Sequence, residues 1–441
     1  MSVSVLVVGK GAREHALAWR LSKSQSVKQV FVFPGNGGTS LDESTIEQNA
    51  APISNLTGIR TGCTGYSNLA QKARQLDVGL VVVGPGDDAV NGIEEYFREG
   101  QSQPTVNPSK NMVTDRFIVR IPCFAPSRKA AQLEGSKVLA KTFMKKYDIP
   151  TAAHSSFDDF DEASAYVCRV FTDDDRRIVI KADGLAAGKG VVLPETPEQA
   201  LEDLRIIMKD GVFSTAGSSV VIEEYMEGLE VSILTFSDGN TFFSLPAGQD
   251  HKRILEGNKG PNTGGMGVYT PVPMVTPEIT RQIDDDILKP TFEALHKEGC
   301  PFQGLLFTGV MVTKSGPKVI EYNLRFGDPE TQSSMLLLSE ETDLAGILLS
   351  CTNGTLDQVK HTIKVKPGFA CNVVIASGGY PGDYETGKTI SLGTPPDGVI
   401  IFHAGTHRDE GGDRLLKTAG GRAFSVAAYG GTLQQTRDKA Y

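Results

Sequence analysis

Residues 181–192 read KADGLAAGKGVV, with two lysines and three glycines directly after the apolar run Ile178-Val179-Ile180. Side chains this small pack no core, whereas bare backbone N–H groups and an ammonium can converge on an anion, so the stretch points to phosphate. It departs from the G-x-x-x-x-G-K-[ST] phosphate loop, because Gly190 follows Gly188-Lys189 and leaves no hydroxyl to hold magnesium. Nor does it read G-x-G-x-x-G. A lysine on a strand followed by a glycine loop needs partners elsewhere in the chain to explain it.

The surroundings are those of a compact α/β unit over 155–227: a helix at 160–170, a strand at 177–181, the glycine loop, a helix at 197–209 and a strand at 219–223. The first third of the chain alternates short apolar runs at 3–8, 30–33 and 78–83 with a helical pattern at 16–21. This predicts parallel strands joined by crossover helices. The strand ends carry GKGAREH (9–15), PGNGGT (34–39) and GPGDDAVNG (84–92), where open α/β sheets bind ligands. Residues 99–120 are polar, aperiodic and broken by two prolines, which predicts a long loop or disordered insertion. A helical pattern resumes over 130–147, and a second glycine-rich α/β segment fills 369–441.

With 441 residues, 39% of them hydrophobic and 22% charged, the chain is long enough for several packed cores and has a globular composition. A formal charge of −9 argues against general nucleic-acid affinity. The six cysteines, at 63, 123, 168, 300, 351 and 371, form no C-x-x-C pair, so neither a disulfide framework nor a zinc pattern is expected. The start MSVSVLVVGKG shows no basic leader, and no apolar run is long enough to span a bilayer. A cytoplasmic enzyme without a membrane partner is expected.

Chemistry-bearing residues cluster further on. In PKVIEYNLRFGDPETQ (317–332), Glu321 and Asn323 lie two apart on a strand and share a face. A carboxylate and an amide oxygen so placed suit a hard cation such as Mg²⁺, though the pair alone also fits a solvated edge strand. Arg325 continues the alternation with a fork suited to phosphate or carboxylate. QDHKRILEGNKGPNTGGMGVYTP (249–271) sets Asp250, His251, Lys252 and Arg253 before a glycine-rich loop, and VVIEEYMEGLEVS (220–232) adds Glu223 and Glu230 at and after a strand. These acids can line a nucleotide or play a structural part.

Taken together, Lys181, the glycine loop, the acids after the next strand and the Glu-x-Asn pair resemble the ATP-grasp superfamily. Nine motifs in order carry the likeness to the glycinamide ribonucleotide synthetase (phosphoribosylamine–glycine ligase) family: GxGxREH, PGNGGT, AAQLEGSK, VIKADGLAAGKGV, IEEYMEGLEVS, QDHKR, GPNTGGMG, IEYNLRFGDPETQ and ASGGYPGDY. The resemblance spans nearly the whole chain. It implies an α/β fold with an N-terminal Rossmann-like parallel-sheet domain over 1–135. An ATP-grasp domain over 136–345 would follow, with a mobile lid subdomain at 155–227, and a small C-terminal α/β domain over 360–441.

The resemblance also implies a carbon–nitrogen ligase that joins glycine to 5-phosphoribosylamine, with ATP as co-substrate and Mg²⁺ or Mn²⁺ as cofactor. Lys137 and Lys181 would reach ATP phosphates under a loop with Gly184, Gly188, Lys189 and Gly190, while Glu223, Glu224, Tyr225 and Glu230 bind adenosine. Glu321 and Asn323 would hold the metal. Asp250, Lys252, Arg253 and Arg325 would serve the glycine and acyl-phosphate chemistry, with Asn262, Thr263, Gly264, Gly327 and Asp328 as substrate contacts. Gly9, Gly11, Arg13, Glu14 and His15 would meet phosphoribosylamine, its phosphate at a helix N-terminus. Other purine-pathway domains or enzymes are implied partners, because the family often occurs in multifunctional chains.

Some residues depart from the family pattern. Lys10 occupies a turn where a small residue or asparagine is usual, and Gly86 stands in place of an acid. The 99–120 segment exceeds the usual link, and a retained intron is one explanation that transcript sequencing would test. The chain stops within a predicted helix, where the family usually continues. Competing readings are another ATP-grasp ligase of purine synthesis, a catalytically silent relative, and a dinucleotide oxidoreductase. Against the last, Glu14 takes the third glycine's place in G-x-G-x-x-G.

Overall fold

The computed structural model describes residues 2–40, 50–59, 65–98, 103–107, 112–116, 120–173, 177–184, 190–210, 212, 217–409 and 415–441. Its first sheet is parallel, in the order Ile53–Asn55, Val27–Pro34, Val3–Gly9, Val78–Val83, Cys123–Phe124. The apolar runs read from the sequence form its three central strands, and Val5, Leu6, Val7, Val81 and Val82 are wholly buried, as expected of strands covered on both faces. The chain steps outward from Val3–Gly9 on one side and returns on the other, so the ends of Val3–Gly9 and Val78–Val83 flank a topological switch point.

That crevice is filled from within. The Glu14 side chain folds back over the start of the Ala12–Ser22 helix, and its Oε2 accepts the Gly11 N–H at 2.6 Å. A Cβ at Gly9, whose φ is +130°, or at Gly84 would collide with this carboxylate. Only glycine at both strand ends admits it.

A second, antiparallel sheet has the order Val191–Val192, Ile178–Ala182, Val220–Glu224, His154–Phe157. Ile178, Ile180, Ala182, Val220 and Ile222 pack on one face against Ala163 and Val167 of helix Phe160–Asp173 and Ala200, Leu204 and Ile207 of helix Pro197–Met208. Strand alternation therefore sends Lys181 and Glu223 to the opposite face. A third sheet, Phe242–Ser244, Leu229–Asp238, Gln303–Thr313, Gly316–Asn323, is buried on both sides: Val231, Ile233 and Val310 enter one core and Leu234, Phe236 and Phe307 another. The fourth sheet runs Gln249–Asp250, Gly267–Thr270, Phe369–Ala376, Arg422–Gly430, Val399–His403. It pairs strands from the middle of the chain with strands from the C-terminal segment.

Two local expectations are corrected. The 99–120 stretch, read as lacking regular structure, contains strands Gln103–Asn107 and Met112–Arg116 paired antiparallel. Both include β-formers such as Val106 and Val113, which the two prolines outweighed in the sequence reading. The helical pattern over 130–147 is two helices, Arg128–Gly135 and Lys137–Lys146. Ser136 breaks them: its backbone is extended, and its hydroxyl accepts the Leu139 N–H at 3.1 Å as the new N-cap.

Helix Ala12–Ser22 lies between the first sheet, helix Glu330–Leu337 and strand Val399–His403. At this junction His15 Nδ1 accepts the His403 N–H at 2.9 Å, and the two rings lie 5.6 Å apart. Burial, with His403 alongside, lowers the His15 pKa to about 3; burial and then Arg408 lower that of His403 to about 4. Unfolded imidazoles take up protons near pH 6.5, whereas this folded pair stays neutral well below it. Stability is therefore full above pH 6.5 and falls as pH drops through that window. Between pH 7 and pH 5 the unfolding free energy is expected to fall by about 1–2 kcal/mol for each imidazole. Urea unfolding at both pH values checks this, and His403→Asn should lose less by one imidazole's share.

Candidate functional site

A cleft of about 1810 Å³ opens where the second, third and fourth sheets meet. Its floor is the strand Gly316–Asn323, on which Glu321 and Asn323 face the same side. Burial alone would raise the Glu321 pKa, but Lys252, Lys181, Lys137 and Arg325 together hold it below the ordinary carboxylate range. The carboxylate is thereby kept ionised. Asn323 Oδ1 accepts from Arg325 Nη2 at 3.1 Å.

One wall comes from the break at Ser136. Its hydroxyl donates to Asp183 Oδ1 at 3.0 Å, and the same carboxylate oxygen accepts the Val138 N–H at 3.1 Å. This fastens the loop after Ile178–Ala182 to the start of helix Lys137–Lys146, and Lys137 Nζ donates to Gly184 O at 2.7 Å. Burial lowers the Lys137 pKa while Glu321 opposes it. Lys181 projects from its strand to one carboxylate oxygen of Glu223, whose other oxygen meets Lys141. Gly190 lines the cleft; Gly188 and Lys189 lie outside the described residues.

The rim carries Glu224, Tyr225 and Glu230. Glu224 pairs with Lys318 at 3.0 Å, and the Arg177 guanidinium sits 4.1 Å over the Tyr225 ring. Glu230 meets Lys252 at 2.5 Å. Burial disfavours the Lys252 ammonium, but Glu230, Glu321 and Asp250 outweigh it and raise its pKa. Arg253 Nη1 donates to Gly260 O at 2.5 Å within the hairpin Arg253–Leu255/Lys259–Asn262.

The far end is built from carboxylates and two arginines, Arg422 and Arg13. Burial and the neighbouring Glu330 push the Asp250 pKa well up, and its Oδ1 is buried without a hydrogen-bond partner. Burial raises Glu330 likewise. Asp328 is held low despite burial, chiefly by Arg422 and Arg13. Arg422 Nη2 lies 3.3 Å from Asp328, and Nη1 donates to Gly264 O at 2.8 Å and Asp328 O at 3.1 Å. Tyr380 OH accepts the Gly264 N–H at 3.1 Å, and Thr263 Oγ1 donates to Lys252 O at 2.8 Å. Two strands and two loops far apart in sequence are thus tied into one wall.

The structure brings Lys137, Lys181, Gly184, Gly190, Glu223, Glu224, Tyr225, Glu230, Asp250, Lys252, Arg253, Asn262, Thr263, Gly264, Glu321, Asn323, Arg325, Asp328 and Arg13 onto this one cleft. Gly9, Gly11, Glu14, His15 and Gly327 do not line it. Glu14 fills the strand-end crevice and bonds Arg13, His15 turns to His403, and Gly327 lies under the Glu330 carboxylate. Sequence reasoning missed Lys141, Glu134, Glu330, Arg422 and Tyr380. Lys141 had a signal, one helical turn beyond Lys137; Arg422, in GGRAF, had none. Glu134 accepts the Leu324 N–H at 2.7 Å and Arg325 Nε at 3.2 Å, and so sets the arginine.

For a metal, Glu321 and Asn323 offer two oxygens. Among the described residues no three His, Cys, Asp or Glu side chains group to hold an ion. The pair fits a Mg²⁺-like cation that completes its shell with phosphate oxygens and water, rather than a cation held by protein alone.

Glu134→Ala removes a nearly buried partner of both a guanidinium and a backbone amide. It is expected to cost about 2–4 kcal/mol in urea unfolding, and Glu134→Gln, which keeps an acceptor, should cost less.

Comparison with known proteins places this geometry among relatives. Profiles described as phosphoribosylglycinamide synthetase N domain, ATP-grasp (A) domain and C domain match residues 3–114, 135–331 and 370–441. A bifunctional purine biosynthetic protein of Schizosaccharomyces pombe is 44% identical over 440 residues, covering 100% of this chain and 51% of that protein. The phosphoribosylamine–glycine ligase of Chlorobaculum tepidum is 39% identical, covering 100% of this chain and 95% of that protein. The crystal structure of the phosphoribosylamine–glycine ligase of Thermotoga maritima superposes with a TM-score of 0.76 at 31% identity, covering 100% of this chain and 95% of that one. The chain thus spans about half the length of its bifunctional yeast relatives and nearly all of the bacterial ones.

Proposed function

The chain belongs to the phosphoribosylglycinamide synthetase family, and we propose that it joins glycine to 5-phosphoribosylamine at the expense of ATP, yielding glycinamide ribonucleotide, ADP and phosphate. The observation that carries this reading is the ionised Glu321, with Asn323 beside it, among Lys137, Lys181, Lys252 and Arg325. That is a site for a triphosphate and for a small carboxylate made reactive by it.

A carboxylate is a poor electrophile. Transfer of the γ-phosphoryl group to glycine makes an acyl phosphate, which the sugar amine then attacks, releasing phosphate. Phosphoryl transfer is mainly positioning and charge neutralisation, so cations matter more than a protein nucleophile. Lys137 and Lys181 hold phosphates at one end of the cleft, with Gly184, Gly188, Lys189 and Gly190 as the covering loop. Glu224, Tyr225 and Glu230 take the adenosine, with Glu223 behind them.

Arg325, held by Glu134, faces the transferred group, and Lys252 steadies the acyl phosphate. Asp250, whose pKa burial and Glu330 raise, lies where it can exchange a proton with the incoming amine. Asn262, Thr263, Gly264 and Asp328 line the glycine and amine end, together with Arg13. Glu321 and Asn323 would hold a Mg²⁺ or Mn²⁺ ion, which would supply positive charge to offset that of the phosphates. Closure of the loop after Lys181 excludes water from the acyl phosphate. We place this activity in the cytoplasm; among the described residues no helix is long and apolar enough to cross a membrane. The bifunctional yeast relatives support a second purine-pathway activity as partner.

ADP release on the full chain with ATP, Mg²⁺ and glycine is expected to require freshly generated phosphoribosylamine for turnover. Glu321→Gln should lower kcat by about 10²-fold or more. A folded chain that binds ATP without turnover would leave a catalytically silent relative as the reading.

A further inference from the structure

The Glu223 carboxylate lies between two ammonium groups, with Lys181 Nζ 3.0 Å from Oε1 and Lys141 Nζ 3.1 Å from Oε2. All three side chains are nearly sealed from water, at 6% exposure for Lys181, 3% for Lys141 and 2% for Glu223. Two cations on one buried anion leave a net positive charge that no described carboxylate cancels at contact distance. Burying such a charge is costly unless something uses it.

The three residues are not equivalent. Lys141 is tied into the scaffold: its ammonium also donates to Thr151 Oγ1 at 2.6 Å, and that hydroxyl donates to Val319 O at 2.7 Å. Lys141 therefore ties the second sheet, through Glu223, to the strand that carries Glu321. Lys181 is differently placed. It donates to Ile320 O at 3.2 Å besides pairing with Glu223, and it is one of the four cations of the cleft that hold Glu321 ionised.

We propose that Lys141 is a positioning residue: by neutralising Glu223 it leaves the charge of Lys181 available to the phosphates of a bound nucleotide. This rests on the nucleotide-binding reading given above. Without Lys141, Glu223 and Lys181 become a closed pair, and a phosphate approaching Lys181 must compete with a buried carboxylate for the same ammonium. Lys141 thus tunes phosphate affinity without touching phosphate, and the adenosine end of the cleft is indifferent to it.

The test is equilibrium binding of ADP and of adenosine to the full chain by calorimetry, with Mg²⁺ present. Lys141→Met is expected to weaken ADP by about tenfold or more, while adenosine affinity stays within about threefold. Lys141→Arg should restore most of the ADP affinity. In a Glu223→Gln background there is no anion left to neutralise, so adding Lys141→Met should change ADP affinity little. Parallel losses of ADP and adenosine, or an equal loss in the Glu223→Gln background, would overturn the proposal. Should Lys141→Met alone fail to fold, the charge-balanced double variant against Glu223→Gln decides, and a tenfold ADP difference between them refutes it. Wild-type protein that binds neither ligand would sink the ligase reading as well, whereas tight wild-type binding with parallel losses sinks this proposal alone.

Discussion

The cleft is organised around the cost of keeping like charges together. Lys137, Lys181, Lys252 and Arg325 converge on one carboxylate, Glu321, and each comes from a different element: a helix start, a strand, the segment after a short edge strand, and a loop. Like charges repel, so this arrangement depends on the carboxylates that the fold sets against three of the four. Glu223 answers Lys181, Glu230 answers Lys252, and Glu134 answers Arg325. The scaffold holds cations that are partly compensated, and a polyanionic ligand supplies the rest.

Much of this compensation comes from parts of the chain with no obvious chemistry. The C-terminal segment contributes Arg422 and Tyr380, which hold the glycine-rich loop at Gly264 and the turn at Asp328. It does so from a sheet whose other strands, Gln249–Asp250 and Gly267–Thr270, flank that same loop. The site is therefore a product of strand pairing across more than one unit. Removing the C-terminal segment would undo the loop's geometry even with every residue of QDHKR and GPNTGG in place.

Patterns with a short physical period were legible in the sequence. The parallel strands followed from apolar runs, and the opposite facing of Lys181 from strand alternation, because Ile178, Ile180 and Ala182 had to enter a core. The pairing of Glu321 with Asn323 needed only the two-residue repeat. Contacts with no local trace were not legible. Arg422 lies almost a hundred residues from Asp328, and nothing in GGRAF marks it. Glu14 was read as a ligand contact from the family resemblance alone; that its carboxylate caps the helix start and packs against the glycines facing it has no trace in the local pattern. Lys141 was missed although it follows Lys137 by one helical turn; its burial, which the sequence does not show, sets it apart from the other lysines of that helix.

The carboxylate of Glu14 occupies the crevice where parallel sheets of this kind ordinarily receive a phosphate. It is a tethered anion, so its local concentration at that helix start does not fall when the cell's free ligands do. Any phosphate arriving there competes with an occupant that never diffuses away. The N-terminal sheet therefore places a carboxylate of its own chain in the seat where such sheets take an anion. The glutamate that stands in the third glycine's place, and so removes the dinucleotide signature, also packs against both strand-end turns around it, at Gly9 to Gly11 and at Gly84.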